Sequence, residues 1–309
     1  VSQTRRTFLG AAAALSAAPA TLPTREFGQT GKRISLVAFG CGSRFLSYKQ
    51  EDEAIAVIHR ALDLGITYFD TAYDYGAGLS ESRVGKALAG RRQNVYLATK
   101  LPARNGDAAM RILEGSLKRC QTDYFDTVHI HSLTTEEDLA AIEAKDGVLH
   151  ALYKMREQKV ARNVGVSCHT DPRVLKTALE RHDFNVTQMA LNAARIGQAR
   201  IDADPLRDSF ESLALPVALR KKMGVTAMKI FAQEKLNGAT SVENLIRYSL
   251  SLPVGAVVLG MPKLEFLEEN TAIARAFAPM PLPERQKLNQ QLGQYKASID
   301  RFFHDHQDA

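Results

Sequence analysis

The chain contains no tryptophan and three cysteines, Cys41, Cys120 and Cys168, among 309 residues. The first absence rules out an indole-lined pocket. The second argues against a thiolate metal site and a disulfide framework, because no two cysteines stand in a CxxC spacing. No cysteine follows Cys168, which excludes a C-terminal cluster of ferredoxin type. The Ala-rich run from Phe8 to Ala20 stops short of the ~20 apolar residues that a spanning helix needs. Basic pairs such as Arg91-Arg92 and Lys221-Lys222 are scattered among acidic residues without interleaved aromatics, so nothing marks a nucleic-acid surface. The turn Gly40-Cys41-Gly42-Ser43-Arg44-Phe45 lacks the third glycine of GxGxxG, which counts against an open dinucleotide-binding sheet. His129-Ile130-His131 is an HxH pair without a convincing carboxylate partner, so no metal is expected.

What is present is an ordinary globular composition, 45% hydrophobic and 24% charged, with net charge +6. Two of those charges, Arg5 and Arg6, precede Phe8-Leu9, an Ala-rich stretch and the small-x-small site Ala18-Pro19-Ala20. This is the plan of a secretory leader, and the paired arginines resemble the twin-arginine type. The expectation is a signal peptide over 1–20, recognised by the twin-arginine export machinery. A mature domain over 21–309 would then be periplasmic or secreted, and not membrane-bound once the leader is removed.

After a hairpin pattern over Arg25–Ile34, short β-branched or aromatic runs alternate with longer stretches of helical period. Strands are predicted at Ile34–Cys41, Ile66–Ala72, Asn94–Lys100, Tyr124–Ser132, Arg162–Cys168, Val186–Asn192, Val225–Ile230 and Ala256–Met261. Helices follow at about 51–64, 80–90, 107–121, 146–158, 171–182, 205–222, 241–252 and 264–277. Ser80, Asp171-Pro172 and Ser241 read as helix starts. One more helix is expected over 281–303. Eight strand–helix repeats point to an α/β protein, a single (β/α)8 TIM barrel with an N-terminal β-hairpin and an extra C-terminal helix.

In such a barrel, chemistry gathers at the C-terminal ends of strands. Asp70 ends the second predicted strand, Tyr75 lies in the loop after it, Lys100 ends the third and His131 the fourth. Carbonyl reduction needs a hydride on carbon and a proton on oxygen. A phenol can give the proton if its ionisation is eased, and an ammonium beside Tyr75 does that. Asp70 would hold Lys100 charged, and His131 would hydrogen-bond the substrate oxygen. A nicotinamide must supply the hydride, since no side chain can.

The stretch Gly65-Ile66-Thr67-Tyr68-Phe69-Asp70-Thr71-Ala72 with Tyr75, Glu81 and Gly85 resembles the first signature of the aldo-keto reductases. Lys100 after Tyr96-Leu97-Ala98-Thr99 and the segment Tyr124-Phe125-Asp126 leading to His131 are similar to further motifs of that family. The likeness runs over residues 25–280. It implies that the hairpin plugs the barrel bottom and that Asp70, Tyr75, Lys100 and His131 are catalytic.

The resemblance also implies a cofactor site. Ser167 and Cys168 stand where the family has a Ser-Asn pair on the nicotinamide carboxamide, and Gln188 matches the glutamine that shares this task. Met228, followed by Lys229, takes the place of a tyrosine stacked on the nicotinamide. Gly260 to Asn270 resembles the segment that grips the adenosine end, with Glu269 and Asn270 toward adenine. Many members carry Lys at the Gly260 position and Arg at the Phe266 position for the 2′-phosphate. This chain has neither, and Lys263 is the substitute cation. The implied cofactor is NADP, with NAD as the alternative.

The expected function is reduction of an aldehyde or ketone to the alcohol, or the reverse, on a small-molecule carbonyl or alcohol. Phe45, Tyr48 and Leu133 are placed at the entrance. The rival from another class is a cofactor-occupied redox-sensing or binding subunit with little turnover. An exported hydrolase or sugar-binding barrel would need a convergent carboxylate pair or metal cluster, and the sequence offers neither. His129 shares a strand face with His131 and has no assigned task.

The leader reading has a direct test. Replacing Arg5 and Arg6 together by lysine is expected to retain the chain in the cytoplasm, as read by cell fractionation. Export at the wild-type level would contradict it.

Overall fold

The computed structural model describes residues 21–195 and 207–304. The predicted leader over 1–20 lies outside the described residues. The chain opens with a hairpin, β1 (Thr24–Glu26) and β2 (Arg33–Ser35), paired antiparallel. Eight parallel strands follow: β3 (Val37–Gly40), β4 (Tyr68–Asp70), β5 (Tyr96–Leu101), β6 (Phe125–Ile130), β7 (Ala161–Cys168), β8 (Val186–Ala190), β9 (Gly224–Met228) and β10 (Ala256–Gly260). They close into a barrel in sequence order, with β10 returning to β3.

The connecting helices are α1 (Glu51–Asp63), α2 (Leu79–Ala87), α3 (Gly106–Cys120), α4 (Glu136–Glu143), α5 (Val148–Glu157), α6 (Pro172–Arg181), α7 (Ala214–Arg220), α8 (Val242–Leu250) and α9 (Leu264–Arg275). The tail forms α10 (Leu282–Gly293) and α11 (Lys296–His304). The (β/α)8 barrel is thus the observed fold. Among the described residues no helix is long and apolar enough to cross a membrane.

Several boundaries differ from expectation. The first predicted strand divides between the hairpin and the barrel, because the Ser35 hydroxyl bonds Val37 O and Thr67 N and turns the chain between them. The predicted helix over 205–222 is short, starting at Ala214; residues 205 and 206 lie outside the described residues. Pro216 explains the late start, since its ring is tolerated in a first helical turn and not deeper. α4 was not expected. Thr135 caps it by accepting from Asp138 N at 3.1 Å, and Glu136, Glu137 and Asp138 face its positive end. The single helix expected over 281–303 is two, broken just after Gly293. Ser80 is not a cap; it lies inside α2 and bonds Cys41 O at 2.7 Å and Thr71 Oγ1 at 2.8 Å. Asp171 and Ser241 do cap α6 and α8.

Strand alternation decides what fills the barrel. Tyr68 and Asp70 share one face of β4, and Tyr96, Ala98 and Lys100 share one face of β5. The lower inward positions are apolar and form one cluster, with Ile34, Ala38, Val186 and Ala256 packed around Phe27 and Tyr68. The upper positions carry the ionisable groups. The alternate residues, such as Phe69 and Leu97, pack outward against the helices in the larger core.

The hairpin seals the lower end. Phe27 is fully buried and meets Tyr68 and Tyr96 edge-on, at centroid distances of 5.7 and 5.3 Å. Gly224 and Gly255 make the room: a Cβ on either would lie 2.9 or 2.6 Å from the Phe27 ring. Arg25 fastens the hairpin to the barrel through Val254 O and Leu250 O. Phe27→Ala is expected to destabilise the protein by about 3–5 kcal/mol, the range for losing a buried aromatic. Denaturant melts that coincide for the two proteins would contradict this role.

Candidate active site

The loop between β4 and α2 places two side chains side by side. Tyr75 N bonds Ala72 O at 3.3 Å, and the chain then turns through three left-handed residues, Gly76, Ala77 and Gly78, with φ of 66, 51 and 91°. Gly76 and Gly78 adopt this region without strain. The turn aims Tyr75 at β5 and its neighbour Asp74 at the end of β6.

Lys100 is the centre of the arrangement. It is 1% exposed, and its Nζ donates to Asp70 Oδ2 at 2.7 Å, Thr71 O at 2.9 Å and the Tyr75 hydroxyl at 3.3 Å. The three partners match the three protons of an ammonium. Burial by itself would lower the Lys100 pKa, but the charge of Asp70, the Tyr75 oxygen and the hydrogen bonds outweigh it and hold the pKa above its ordinary value. Lys100 is therefore a fixed cation. Asp70 Oδ2 also accepts from Gln188 Nε2 at 3.1 Å, so the carboxylate is braced from two strands.

His131 stands one residue beyond β6, with its ring edge-on to Tyr75 at 5.8 Å. Its Nδ1 is 3.0 Å from Asp74 Oδ2. All four residues singled out for catalysis therefore converge. His129, one step lower, is buried, and burial foremost lowers its pKa to about 3, so it is a neutral filler of the barrel floor. Gly165 leaves space for it, since a Cβ there would lie 2.6 Å from His129 Nδ1.

Glu81 and Gly85 have structural roles. Buried Glu81 accepts from Thr99 Oγ1 at 2.6 Å and Arg119 Nε at 2.8 Å. A Cβ on Gly85 would meet Arg119 O at 2.3 Å, so glycine lets α2 approach α3.

Beside the four residues opens a cavity of about 370 Å³. Asp70, Tyr75 and Gln188 line its inner end, and Met228 and Lys229 line one wall. Gly40, Gly42 and Gly260, from β3, its following loop and β10, also line it. Arg44 and Glu234 also line the cavity and pair at 2.9 Å, joining the loops after β3 and β9. The Gln188 amide nitrogen is engaged by Asp70, and its Oε1 is buried without a hydrogen-bond partner among the described residues. An amide such as the nicotinamide carboxamide would satisfy it, so the residues present fit that group.

The other cofactor positions are placed unevenly. The Ser167 hydroxyl is buried, accepts from Ser132 N at 2.9 Å and bonds Ile130 O at 3.5 Å, tying β6 to β7. Cys168 requires a correction: alternation turns its side chain outward into the core, where Sγ contacts Asp171 O at 3.3 Å. His169, the next residue, lines the cavity in its stead. Lys263 is exposed at the N-cap of α9, Glu269 is exposed on that helix, and Asn270 is buried. Phe45 and Leu133 are buried in the core and Tyr48 packs against it, so none of these three lines the cavity, contrary to the entrance placement.

The sequence reading also missed Asp74, Arg44 and Glu234. His169 directly follows β7, and Asp74 and Arg44 lie early in the loops after β4 and β3, so the rule that strand C-termini carry function points to them. Glu234 lies farther along its loop and gave no such signal. Among the described residues no group of three or more His, Cys, Asp or Glu is arranged to hold a metal ion.

Comparison with known proteins bears on the fold and the family. The uncharacterized oxidoreductase YqkF of Bacillus subtilis is 26% identical over 288 residues, covering 82% of this chain and 91% of that protein. The methylglyoxal reductase YeaE of Escherichia coli is 37% identical over 117 residues, 36% of this chain and 41% of that one. The holo form of an aldo-keto reductase from Bacillus halodurans superposes with a TM-score of 0.72 at 23% identity, over 87% of this chain and 96% of that chain. An aldo/keto reductase from Klebsiella pneumoniae, solved in complex with NADP and acetate, gives 0.67 at 23% identity, over 90% and 96%. The model of the aldo/keto reductase family matches residues 37–240, and the chain belongs to that family.

Proposed function

We propose that this oxidoreductase reduces an aldehyde or ketone to the alcohol, or runs the reverse reaction, with NADP(H) as cofactor and Tyr75 as the proton donor. The observation that carries the reading is Lys100, buried between Asp70 at 2.7 Å and the Tyr75 hydroxyl at 3.3 Å, at the inner end of the cavity. The NADP complex of the Klebsiella protein supports the choice of cofactor.

Gln188 and Met228 would hold the nicotinamide ring against Tyr75, with Gln188 Oε1 accepting from the carboxamide. Arg44, Lys229 and Lys263 would face the phosphates. When bound, the dihydronicotinamide supplies a hydride to the carbonyl carbon. The Tyr75 hydroxyl gives its proton to the carbonyl oxygen, and the Lys100 ammonium stabilises the phenolate left behind. Asp70 keeps Lys100 in place, so the cation is preorganised before charge develops on Tyr75. His131 stands against Tyr75 and bonds the same substrate oxygen. Export of the folded, cofactor-loaded chain remains part of the proposal, on the composition of residues 1–20.

Tyr75→Phe is expected to lower carbonyl-dependent NADPH oxidation by about 10²–10⁴-fold, the usual worth of a positioned acid. Fluorescence titration should show NADPH binding unchanged in that variant. Binding of neither NADPH nor NADH by the wild-type protein would sink the assignment. Tight binding with no turnover on any small carbonyl would point to the redox-sensing subunit instead.

A further inference from the structure

Asp74 has no part in the mechanism above, yet its carboxylate reaches one of the two ring nitrogens of His131, at 3.0 Å. The His131 side chain is 2% exposed and that of Asp74 30%, so a partly solvated carboxylate grips a buried imidazole. We propose that Asp74 is a positioning residue that fixes the tautomer of His131, leaving the imidazolium as the only form of that ring able to donate a hydrogen bond to the substrate oxygen.

An ionised carboxylate only accepts, so the Nδ1 facing Asp74 carries hydrogen. Any bond from His131 to substrate is then made by Nε2. In the neutral ring with hydrogen on Nδ1, Nε2 is an acceptor, and so is a carbonyl oxygen; the two repel. Donation requires hydrogen on both nitrogens, which is the imidazolium.

The surroundings leave this role to Asp74. Tyr75 and His169 meet the ring edge-on, at 5.8 and 6.3 Å. Asp70 and Lys100 already pair with each other, and His129 below is held neutral. The Arg104 guanidinium donates to the main-chain oxygen of His131 at 2.8 Å and pairs with Asp138, which fixes the backbone and not the ring.

The test is the protonation state of the ring, read by long-range nitrogen–proton NMR on the full ¹⁵N-labelled chain, with His131 assigned by its absence in His131→Gln. At alkaline pH the wild-type ring is expected to carry hydrogen on Nδ1. In Asp74→Asn the side-chain amide can donate to Nδ1, and the hydrogen moves to Nε2, the reversal that follows the same change behind a triad histidine. A wild-type ring with hydrogen on Nε2, or one tautomer in both proteins, overturns the proposal.

The kinetic arm rests on the reductase reading; the NMR arm does not. In the wild type, kcat/KM for carbonyl reduction should fall as the His131 imidazolium deprotonates. In Asp74→Asn that limb should vanish, because the neutral ring already donates, and the low-pH plateau should drop about tenfold with loss of charge assistance. Tyr75 must also be protonated for reduction, so the His131 limb is identified by its loss in His131→Gln; a limb lost in His131→Gln but kept in Asp74→Asn overturns the donation claim. The expected tautomers without turnover in the wild type would uphold the tautomer assignment and overturn the reductase reading.

Discussion

The site depends on one buried ion pair. Lys100 and Asp70 are 1 and 2% exposed and 2.7 Å apart. Removing two such charges from water carries a penalty of roughly several kcal/mol per ion, which their attraction offsets only when the geometry is good and the remaining donors are met. Here they are met. Thr71 O and the Tyr75 hydroxyl take the other two ammonium protons, and Gln188 braces the carboxylate. The pair is weak evidence for stability and strong evidence for a preorganised field at the Tyr75 oxygen.

The barrel makes this pair feasible. Inward positions alternate with outward ones, so Tyr68 and Asp70, or Tyr96 and Lys100, differ only in height along the same lining. Aromatics and the hairpin plug close the lower half and exclude water from beneath the ions. The upper half opens at strand ends whose loops differ in sequence, and those loops bring Asp74, Arg44 and His169 to the rim. Packing and chemistry are therefore read from the same strands at two levels.

Much of this was legible in the sequence. The eight strand–helix repeats, the opening hairpin and the convergence of Asp70, Tyr75, Lys100 and His131 follow from period, spacing and the strand-end rule. The misses have physical causes. The resemblance sets Cys168 among the cofactor residues by its match to the family's Ser-Asn pair, whereas alternation along β7 puts it on the face opposite Ser167, in the core. A helix–helix break after Gly293 leaves the apolar period nearly intact and reads as one helix. Phe45 and Leu133 flank the site in sequence but face away from it. Asp74 was passed over because its partner, His131, is 57 residues distant along the chain.

The central claim is that Lys100 acts through Tyr75. The most direct measurement is a double-mutant cycle on kcat for carbonyl reduction, using Lys100→Met, Tyr75→Phe and the double variant, each shown to be folded and to bind NADPH. If Lys100 works by stabilising charge on the Tyr75 oxygen, it has nothing left to stabilise once that oxygen is gone, and the double variant will be no slower than Tyr75→Phe alone. Losses that multiply would mean that the two residues act independently and would contradict the account.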